Sequence, residues 1–555
     1  MKINLNGKDM EVDPKKTILK ICRDNKINIP TLCYSETLFP EARCRICLVE
    51  MDGKLVTSCS TCPREGCKIL TGSDRVIKAR RRNMELMAPH VSTCSLTDDY
   101  EVCEIFKEVG IDNMRFEQIR DYLPDLGAAI IRDNNKCINC GRCVQVCAKI
   151  QEVFAIDFSS RAHNEHVTPY CEKNLAEVAC IKCGQCILNC PVGAITERSH
   201  LNEVLNALDD PRKTVIVQTA PSVRVALGEL FGMKPGSLIT GKMVAALRRC
   251  GFNKVFDVDL GADLTIMEEG TELLKRIEKG GPFPMITTCC PGWILMMEHF
   301  YPEYFKNMST CKSPHEMLGS LAKNYYAEKA GFNKKDIVVV SIMPCTAKKF
   351  ESTRPELKSD VDFVLTTREL GRLIKQKNID FVNLPDEDFD PALGVSTGAA
   401  VIFGASGGVM EAALRTAYEL ATGKGVTKLE FDQIRGTKGI KEGTIMINGK
   451  EIRFACANGG ANLRKLMENM DKYHFIEMMA CPGGCVNGGG QPIYHDPDVI
   501  RMRMEAIYTE DKNKPLRKSH ENPMIKQIYK EYLDHPGSER AEKLLHTKYT
   551  KRDQF

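Results

Sequence analysis

Most of the 26 cysteines in this 555-residue chain fall at two- or three-residue intervals. That spacing suits several thiolates converging on one metal centre better than scattered disulfides. Cys137-x2-Cys140-x2-Cys143-x3-Cys147 and Cys180-x2-Cys183-x2-Cys186-x3-Cys190-Pro191 are one run written twice. In such a run three close thiolates hold three irons of a cubane, and the fourth reaches the neighbouring cluster. The expected 4Fe–4S ligand sets are therefore Cys137, Cys140 and Cys143 with Cys190, and Cys180, Cys183 and Cys186 with Cys147. A zinc site, the plainer use of four cysteines, does not account for two runs with this asymmetry.

Cys33-x10-Cys44-x2-Cys47-x11-Cys59 suits a 2Fe–2S cluster, the tight pair on one side and the flanking cysteines completing two tetrahedra. Cys62 competes as fourth ligand; Cys59 is favoured because it directly follows the strand Leu55–Ser58. A zinc ribbon is the alternative, and the unequal spacing disfavours it. His90-x3-Cys94 with Cys103 is a looser set, of a kind more often core and surface than ligands. In the C-terminal half three Pro/Gly-rich segments each carry cysteine: Thr287–Trp293 (TTCCPGW), Met343–Glu351 (MPCTAKKFE) and Glu477–Pro492 (EMMACPGGCVNGGGQP). Glycines there permit positive φ angles and close backbone approach to a bulky group. Cys290, Cys345, Cys481 and Cys485 would make one more cubane. Cys289 is left over, as a spare ligand, a buried small hydrophobe or a proton carrier.

The elements that position these thiols differ between the two halves. Residues 1–78 read as a β-rich module of β-grasp type, with strands Lys2–Leu5, Val49–Met51 and Leu55–Thr57 and a helix Ile18–Asp24 around the cysteine loop. Residues 79–125 read as helical with the His/Cys segment, and 126–205 hold the doubled run. From about residue 210 strands alternate with helices: Thr214–Val217 runs into Ala220-Pro221-Ser222, Lys254–Val258 precedes a helix through Glu268–Ile277, Pro284–Thr288 leads to Cys289, Ile337–Met343 to Cys345, and Val361–Leu365 to a helix near Thr367. This order argues for an α/β sheet with binding groups at the carboxyl ends of its strands. The last forty residues read as a polar, helical, wrapping tail.

Composition narrows the class. The chain is long enough for about three to five folding units. Its 77 basic and 73 acidic residues nearly cancel, which argues against a nucleic-acid surface. The N-terminus MKINLNGKDMEVD carries no signal-like apolar run, and no window approaches the roughly 18 apolar residues of a membrane helix. A cytoplasmic protein free of membrane contact is the expectation.

The three C-terminal cysteine segments resemble the signature motifs of iron-only (FeFe) hydrogenases, and the module order resembles the large monomeric clostridial type over essentially the whole chain. The resemblance implies a multidomain α+β and α/β fold: a 2Fe–2S ferredoxin-like domain (1–78), a His/Cys module (79–125), a two-cluster 4Fe–4S ferredoxin-like domain (126–205), an H-cluster catalytic domain (206–515) and a helical tail (516–555). It implies that Cys290, Cys345, Cys481 and Cys485 bind the cubane of the H-cluster, with Cys485 bridging to a two-iron subsite carrying CO, cyanide and a dithiolate amine. It implies a proton route through Cys289, Glu269, Ser309, Glu272 and Arg276. On the helix, Glu269, Glu272 and Arg276 share one face; apart from the family they would read as a solvated ion-pair face. Pro221, Ser222, Met343, Met479 and Lys348 are implied to surround the subsite, Lys348 donating to a cyanide, with Glu351 serving the proton region. Reversible reduction of protons to hydrogen is the implied reaction. Ferredoxin or flavodoxin would be the electron partner, dedicated maturation proteins would build the subsite, and the enzyme would be a monomer.

Two departures stand out. Thr97 occupies a position where the family's His/Cys pattern has cysteine, so a third accessory 4Fe–4S cluster at His90, Cys94 and Cys103 is expected to be modified or absent. His315 stands where a glutamine is expected; it still hydrogen-bonds, and a histidine titrates near neutrality. Cys22, Cys62, Cys67, Cys171, Cys250, Cys311 and Cys456 have no assigned role and read mostly as buried small hydrophobes, with Cys311 near the relay. A non-catalytic assembly factor on the same fold need not retain Cys289, Cys485, Lys348 and the acidic residues together, as this chain does. The other alternative is the catalytic subunit of a larger electron-bifurcating or sensory hydrogenase. Lys78 and Arg80–Arg82 are candidates for steering an acidic ferredoxin, a solvated helix face being the simpler use.

Overall fold

The computed structural model of the chain describes residues 1–91, 100–111, 115–118, 120–357, 360–425, 428–494 and 496–554. The N-terminal module is a five-stranded sheet in which Lys2–Leu5 pairs antiparallel with Lys8–Glu11 and parallel with Lys68–Leu70. Leu48–Met51 joins the other side, paired with Lys54–Thr57. The helix Ile18–Asp24 starts where the Thr17 hydroxyl caps Lys20 N, and it buries Ile18, Leu19, Ile21 and Cys22 against that sheet. Lys8–Glu11 and Lys68–Leu70 carry too little alternation to be read from sequence.

The doubled cysteine run repeats in the backbone as well as in the sequence. Asn139 and Gly141 in the first run, and Lys182 and Gly184 in the second, all take positive φ. Each glycine opens a short helix, Arg142–Gln145 or Gln185–Leu188. The turn wraps the chain so that three thiols face inward.

Two four-stranded sheets, rather than one, build the catalytic half. In the first, Lys254–Asp257, Thr214–Thr219, Ile337–Met343 and Phe363–Thr366 are all parallel. Buried on both faces, they read as apolar runs: Val215, Ile216, Val217, Val339, Val340 and Ile342 lie in one core. In the second, Met285–Ile286, Phe475–Met479 and Lys450–Asn458 run parallel, with Ile440–Ile447 antiparallel at the edge. The helix after Lys254–Asp257 starts at once, at Val258, and runs to Lys279, because Asp257 caps Asp259 N and Gly280 ends the helix at φ 78°. Helix therefore covers Val258, which the sequence reading placed in the strand. Gly261, near the start of this helix, is pressed so closely that a Cβ would stand 2.2 Å from Pro314 O. That contact fixes the loop 309–314 against the helix bearing Glu269 and Glu272.

The tail is not uniformly polar. Ile525, Ile528, Tyr529, Leu533, Ala541 and Leu545 form an apolar stripe buried in the same core as the first sheet. Among the described residues no helix is long and apolar enough to cross a membrane.

Candidate active site

The carboxyl ends of both sheets converge on one cavity. Thr214–Thr219 delivers Ala220, Pro221 and Ser222, and Ile337–Met343 delivers Met343, Pro344 and Cys345; Met285–Ile286 delivers Cys289 and Cys290, and Phe475–Met479 delivers Met479, Cys481 and Cys485. About 720 Å³ not filled by protein atoms lies between them. His315 and Lys348 complete the polar lining. Every residue expected around the two-iron subsite thus reaches this wall. Val258, Ala262, Pro314 and Phe403 line it too and were missed, because an apolar wall residue carries no spacing signal.

The donor set suits an iron–sulfur group. Four thiols from three separate loops border one space, as soft metals require. The glycine cradle is tight: a Cβ on Gly484 would stand 2.5 Å from Ser406 N, and one on Gly488 2.3 Å from Pro344 O. Glu477 anchors the strand before Cys481 by accepting from Gly407 N at 2.6 Å and Met410 N at 2.8 Å.

Lys348 Nζ donates to Cys289 O at 3.2 Å and lies 2.7 Å from Glu351 Oε2. Burial works against its charge, yet the Glu351 carboxylate outweighs burial and raises the ammonium above its ordinary value. Glu351 also meets His315 Nε2 at 2.7 Å, and His315 Nδ1 lies 3.2 Å from Ser341 Oγ. Burial first, then the Lys348 charge, push His315 down to about 4, so the titration near neutrality read from sequence does not occur. Glu351 therefore belongs to the Lys348–His315 side of the cavity. Through Lys348, which also donates to Cys289 O, it is one contact away from the expected proton route.

On the opposite side Cys289 faces the helix Val258–Lys279. Glu269 is fully buried; neither oxygen is in a full hydrogen bond, while the Ser309 side chain and the Thr288 backbone face it and favour its charged form. Burial, then the Glu272 charge, push it up to about 8. The Ser309 hydroxyl donates to Glu272 Oε2 at 3.1 Å, and Arg276 NH2 donates to Glu272 Oε1 at 2.6 Å. Arg276 also donates to the Asn307 and Met308 carbonyls, which ties the loop bearing Ser309 to the helix. A buried carboxyl kept protonated near neutrality, next to a hydroxyl and then a carboxylate that keeps 20% of its exposure, is an arrangement that can pass protons between the cavity and the surface.

The accessory thiols group as the spacing requires. Cys137, Cys140, Cys143 and Cys190 line one small cavity, and Cys147, Cys180, Cys183 and Cys186 line another, so each run lends its last cysteine to the other. The second cavity abuts the catalytic loops: Thr346 Oγ1 donates to Lys182 O at 2.7 Å, Gln185 Nε2 donates to Asn487 O at 2.8 Å, and a Cβ on Gly489 would stand 2.3 Å from Cys183 O. In the N-terminal module Cys33 approaches Cys44, and Cys47 approaches Cys59, all four buried. Cys62 is exposed and contacts only Lys15 O at 3.9 Å, which favours Cys59. Arg80 is no surface cation: its guanidinium chelates Leu48 O at 2.7 and 3.0 Å beside Cys47.

The remaining set stands apart. His90 Nδ1 is buried without a partner, while Cys94 and Thr97 lie outside the described residues. Cys103, expected as an iron ligand, is disulfide-bonded.

Comparison with known proteins accords with this geometry. Residues 213–489 match the family described as iron only hydrogenase large subunit, C-terminal domain, and residues 497–552 the iron hydrogenase small subunit. Residues 1–74 match a 2Fe-2S iron-sulfur cluster binding domain and 136–194 a 4Fe-4S dicluster domain. The NADP-reducing hydrogenase subunit HndD of Solidesulfovibrio fructosivorans is 46% identical over 100% of this chain and 99% of its own. Iron hydrogenase 1 of Clostridium pasteurianum is 43% identical over 99% of this chain and 100% of its own. A solved variant of FeFe-hydrogenase HydA1 from Chlamydomonas reinhardtii, 43% identical, covers 64% of this chain and 99% of its own with a TM-score of 0.58. The chain belongs to the iron-only (FeFe) hydrogenases, an enzyme with an H-cluster domain and accessory 2Fe–2S and 4Fe–4S domains.

Proposed function

We propose that the protein evolves hydrogen with electrons from ferredoxin or flavodoxin, brought to the catalytic cavity through the accessory clusters. The observation that carries this reading is the single cavity bordered by Cys290, Cys345, Cys481 and Cys485, with Cys289 and Glu269 on one side and the Cys183 loop on another. When bound there, a cubane joined to a two-iron subsite supplies the place where the hydrogen–hydrogen bond is made or broken. Cys290, Cys345, Cys481 and Cys485 are the thiols that would hold that group. Pro221, Ser222, Met343, Met479 and His315 shape the wall around its outer part, and Lys348 offers a compact cation to anionic ligands there.

Protons and electrons reach the cavity through different walls. Cys289 holds a proton at its thiol, which burial above all keeps protonated. Glu269, Ser309, Glu272 and Arg276 carry protons to it. Cys33, Cys44, Cys47 and Cys59 would hold a 2Fe–2S cluster and the two ferredoxin sets two cubanes, which would supply electron transfer at potentials of about −400 mV that suit this couple. The domain limits expected at 78, 125, 205 and 515, a cytoplasmic location, a monomeric state and dependence on maturation proteins belong to the same reading.

A second reading has its own support. The relative HndD is named a subunit of an NADP-reducing hydrogenase and matches this chain from end to end, which favours a catalytic subunit of a larger assembly. Assaying the matured protein, purified from its own cells without tags that dislodge partners, separates the two. Hydrogen evolution from reduced ferredoxin by the isolated chain supports the first. Evolution from NADPH that needs co-purified chains, with none from ferredoxin, supports the second.

A further inference from the structure

The tail of the chain reaches into the proton exit. Thr547 N donates to Thr310 O and Lys312 N to Leu545 O, both at 2.8 Å, so His546 and Cys311 form an antiparallel bridge. His546 also bonds Thr310 Oγ1 through Nδ1 at 2.8 Å. The segment bearing Ser309 is thus zipped to the last turn of the protein. Tyr549, a little further on, donates a 2.6 Å hydrogen bond to Ser309 O. Its hydroxyl is buried beside Thr288, Cys311, Glu269 and Glu272, and burial, with those charges, keeps it a neutral donor by raising its ionisation well above the ordinary value.

Ser309 is held at both ends of its backbone. Its N–H donates to Ile286 O at 2.8 Å, on the strand that leads to Cys289, and its carbonyl accepts from Tyr549. Its hydroxyl donates to Glu272 and accepts from Cys311 N at 3.2 Å. A serine passes a proton only by accepting one on its oxygen while its own hydroxyl proton leaves, so its oxygen must stand between donor and acceptor. Small displacements of such a group are costly, about 10²-fold for 1 Å.

We propose that Tyr549 is a positioning residue of the proton relay, its hydroxyl fixing the Ser309 peptide so that the serine oxygen stands between Glu269 and Glu272. In hydrogen evolution the step balances: once Glu269 has passed its proton to Cys289, a proton arriving on the Glu272 carboxyl passes to Ser309 Oγ as the serine hydroxyl proton passes to the Glu269 carboxylate, leaving serine neutral and Glu269 protonated again. This inference rests on the relay reading above.

The test uses matured full-length protein carrying Tyr549→Phe, Ser309→Ala, both together, and Glu272→Gln. For Tyr549→Phe the expected result is unchanged iron content and cofactor infrared bands, hydrogen evolution lowered about 10- to 100-fold, and a larger solvent deuterium isotope effect. In the Ser309→Ala background it should cost nothing more, since tyrosine acts through serine. Without turnover, the carboxyl stretching band of protonated Glu269, recognised by its loss in Glu269→Gln, should shift in Tyr549→Phe. Wild-type turnover and isotope effect, or a loss that adds fully to that of Ser309→Ala, would overturn the proposal. So would loss of the infrared bands, which would mean that the hydroxyl serves folding instead. If Ser309→Ala and Glu272→Gln themselves run at the wild-type rate, the relay reading fails; if they are slow and Tyr549→Phe is not, only the role of Tyr549 fails.

Discussion

Ser309 and Glu272, on separate elements and thirty-seven residues apart, meet in a 3.1 Å hydrogen bond from the serine hydroxyl to the carboxylate. The pair joins the buried end of the proposed relay to its outer end at Arg276, whose side chain keeps 11% of its exposure. Replacing the carboxylate by an amide keeps the shape and removes the acceptor of the proton. Glu272→Gln should therefore slow hydrogen evolution by about 10²- to 10⁴-fold with the clusters intact, as measured by turnover beside iron content.

Cys289 borders the cavity without belonging to the four-thiol set, and its thiol faces Glu269. Cys289→Ala should leave the cofactor bound and nearly abolish turnover, again by about 10²- to 10⁴-fold. Replacement of Cys250, buried in the core far from these residues in contact terms, should change little. A Cys289→Ala enzyme with most of its activity would remove this thiol from the route.

Glu269 binds its proton more tightly in the folded chain, at about 8 against an ordinary 4.5. Its contribution favours folding fully below the ordinary value and is lost as pH rises through about 8. Denaturant unfolding of wild type against Glu269→Gln should accordingly show the wild type losing relative stability from about pH 5 to about pH 9. Hydrogen evolution should fall over the upper part of that window, as Glu269 ceases to carry a proton. A difference in stability that does not vary with pH would contradict this assignment.

Thr97 replaces a thiol with a hydroxyl, a poor ligand for iron, in the looser His90 set. Thr97→Cys should gain a cubane signal in electron paramagnetic resonance and about four irons per chain over wild type. Equal iron content and spectra, with a full cubane already present, would show the substitution to be harmless. Catalysis should persist in wild type through the remaining clusters.

The ligand sets were legible because metal binding writes itself into local spacing: the crossed exchange of Cys147 and Cys190 could be read from sequence, and the two cavities are lined accordingly. The second catalytic sheet was not. Met285–Ile286 is only two residues long, and its partner Phe475–Met479 lies far along the chain, so no local pattern announces the pairing. Asp257 ends a strand and caps a helix at once, which hid the early helix start at Val258. Arg80 read as a surface charge because composition does not show a carbonyl waiting for it at Leu48. Tyr549 and His546 read as tail residues for the same reason: their meaning comes from Ser309 and Thr310, which only the fold brings near.

The most direct test of the whole account is an infrared spectrum of the matured protein taken with and without hydrogen, together with the same spectrum of Cys485→Ala. The account requires sharp bands of metal-bound CO and cyanide that shift under hydrogen in the wild type and vanish in the variant, whose four-thiol set at Cys290, Cys345, Cys481 and Cys485 is broken. Matured wild-type protein with its accessory clusters in place but no such bands, or bands that persist unchanged in Cys485→Ala, would contradict it.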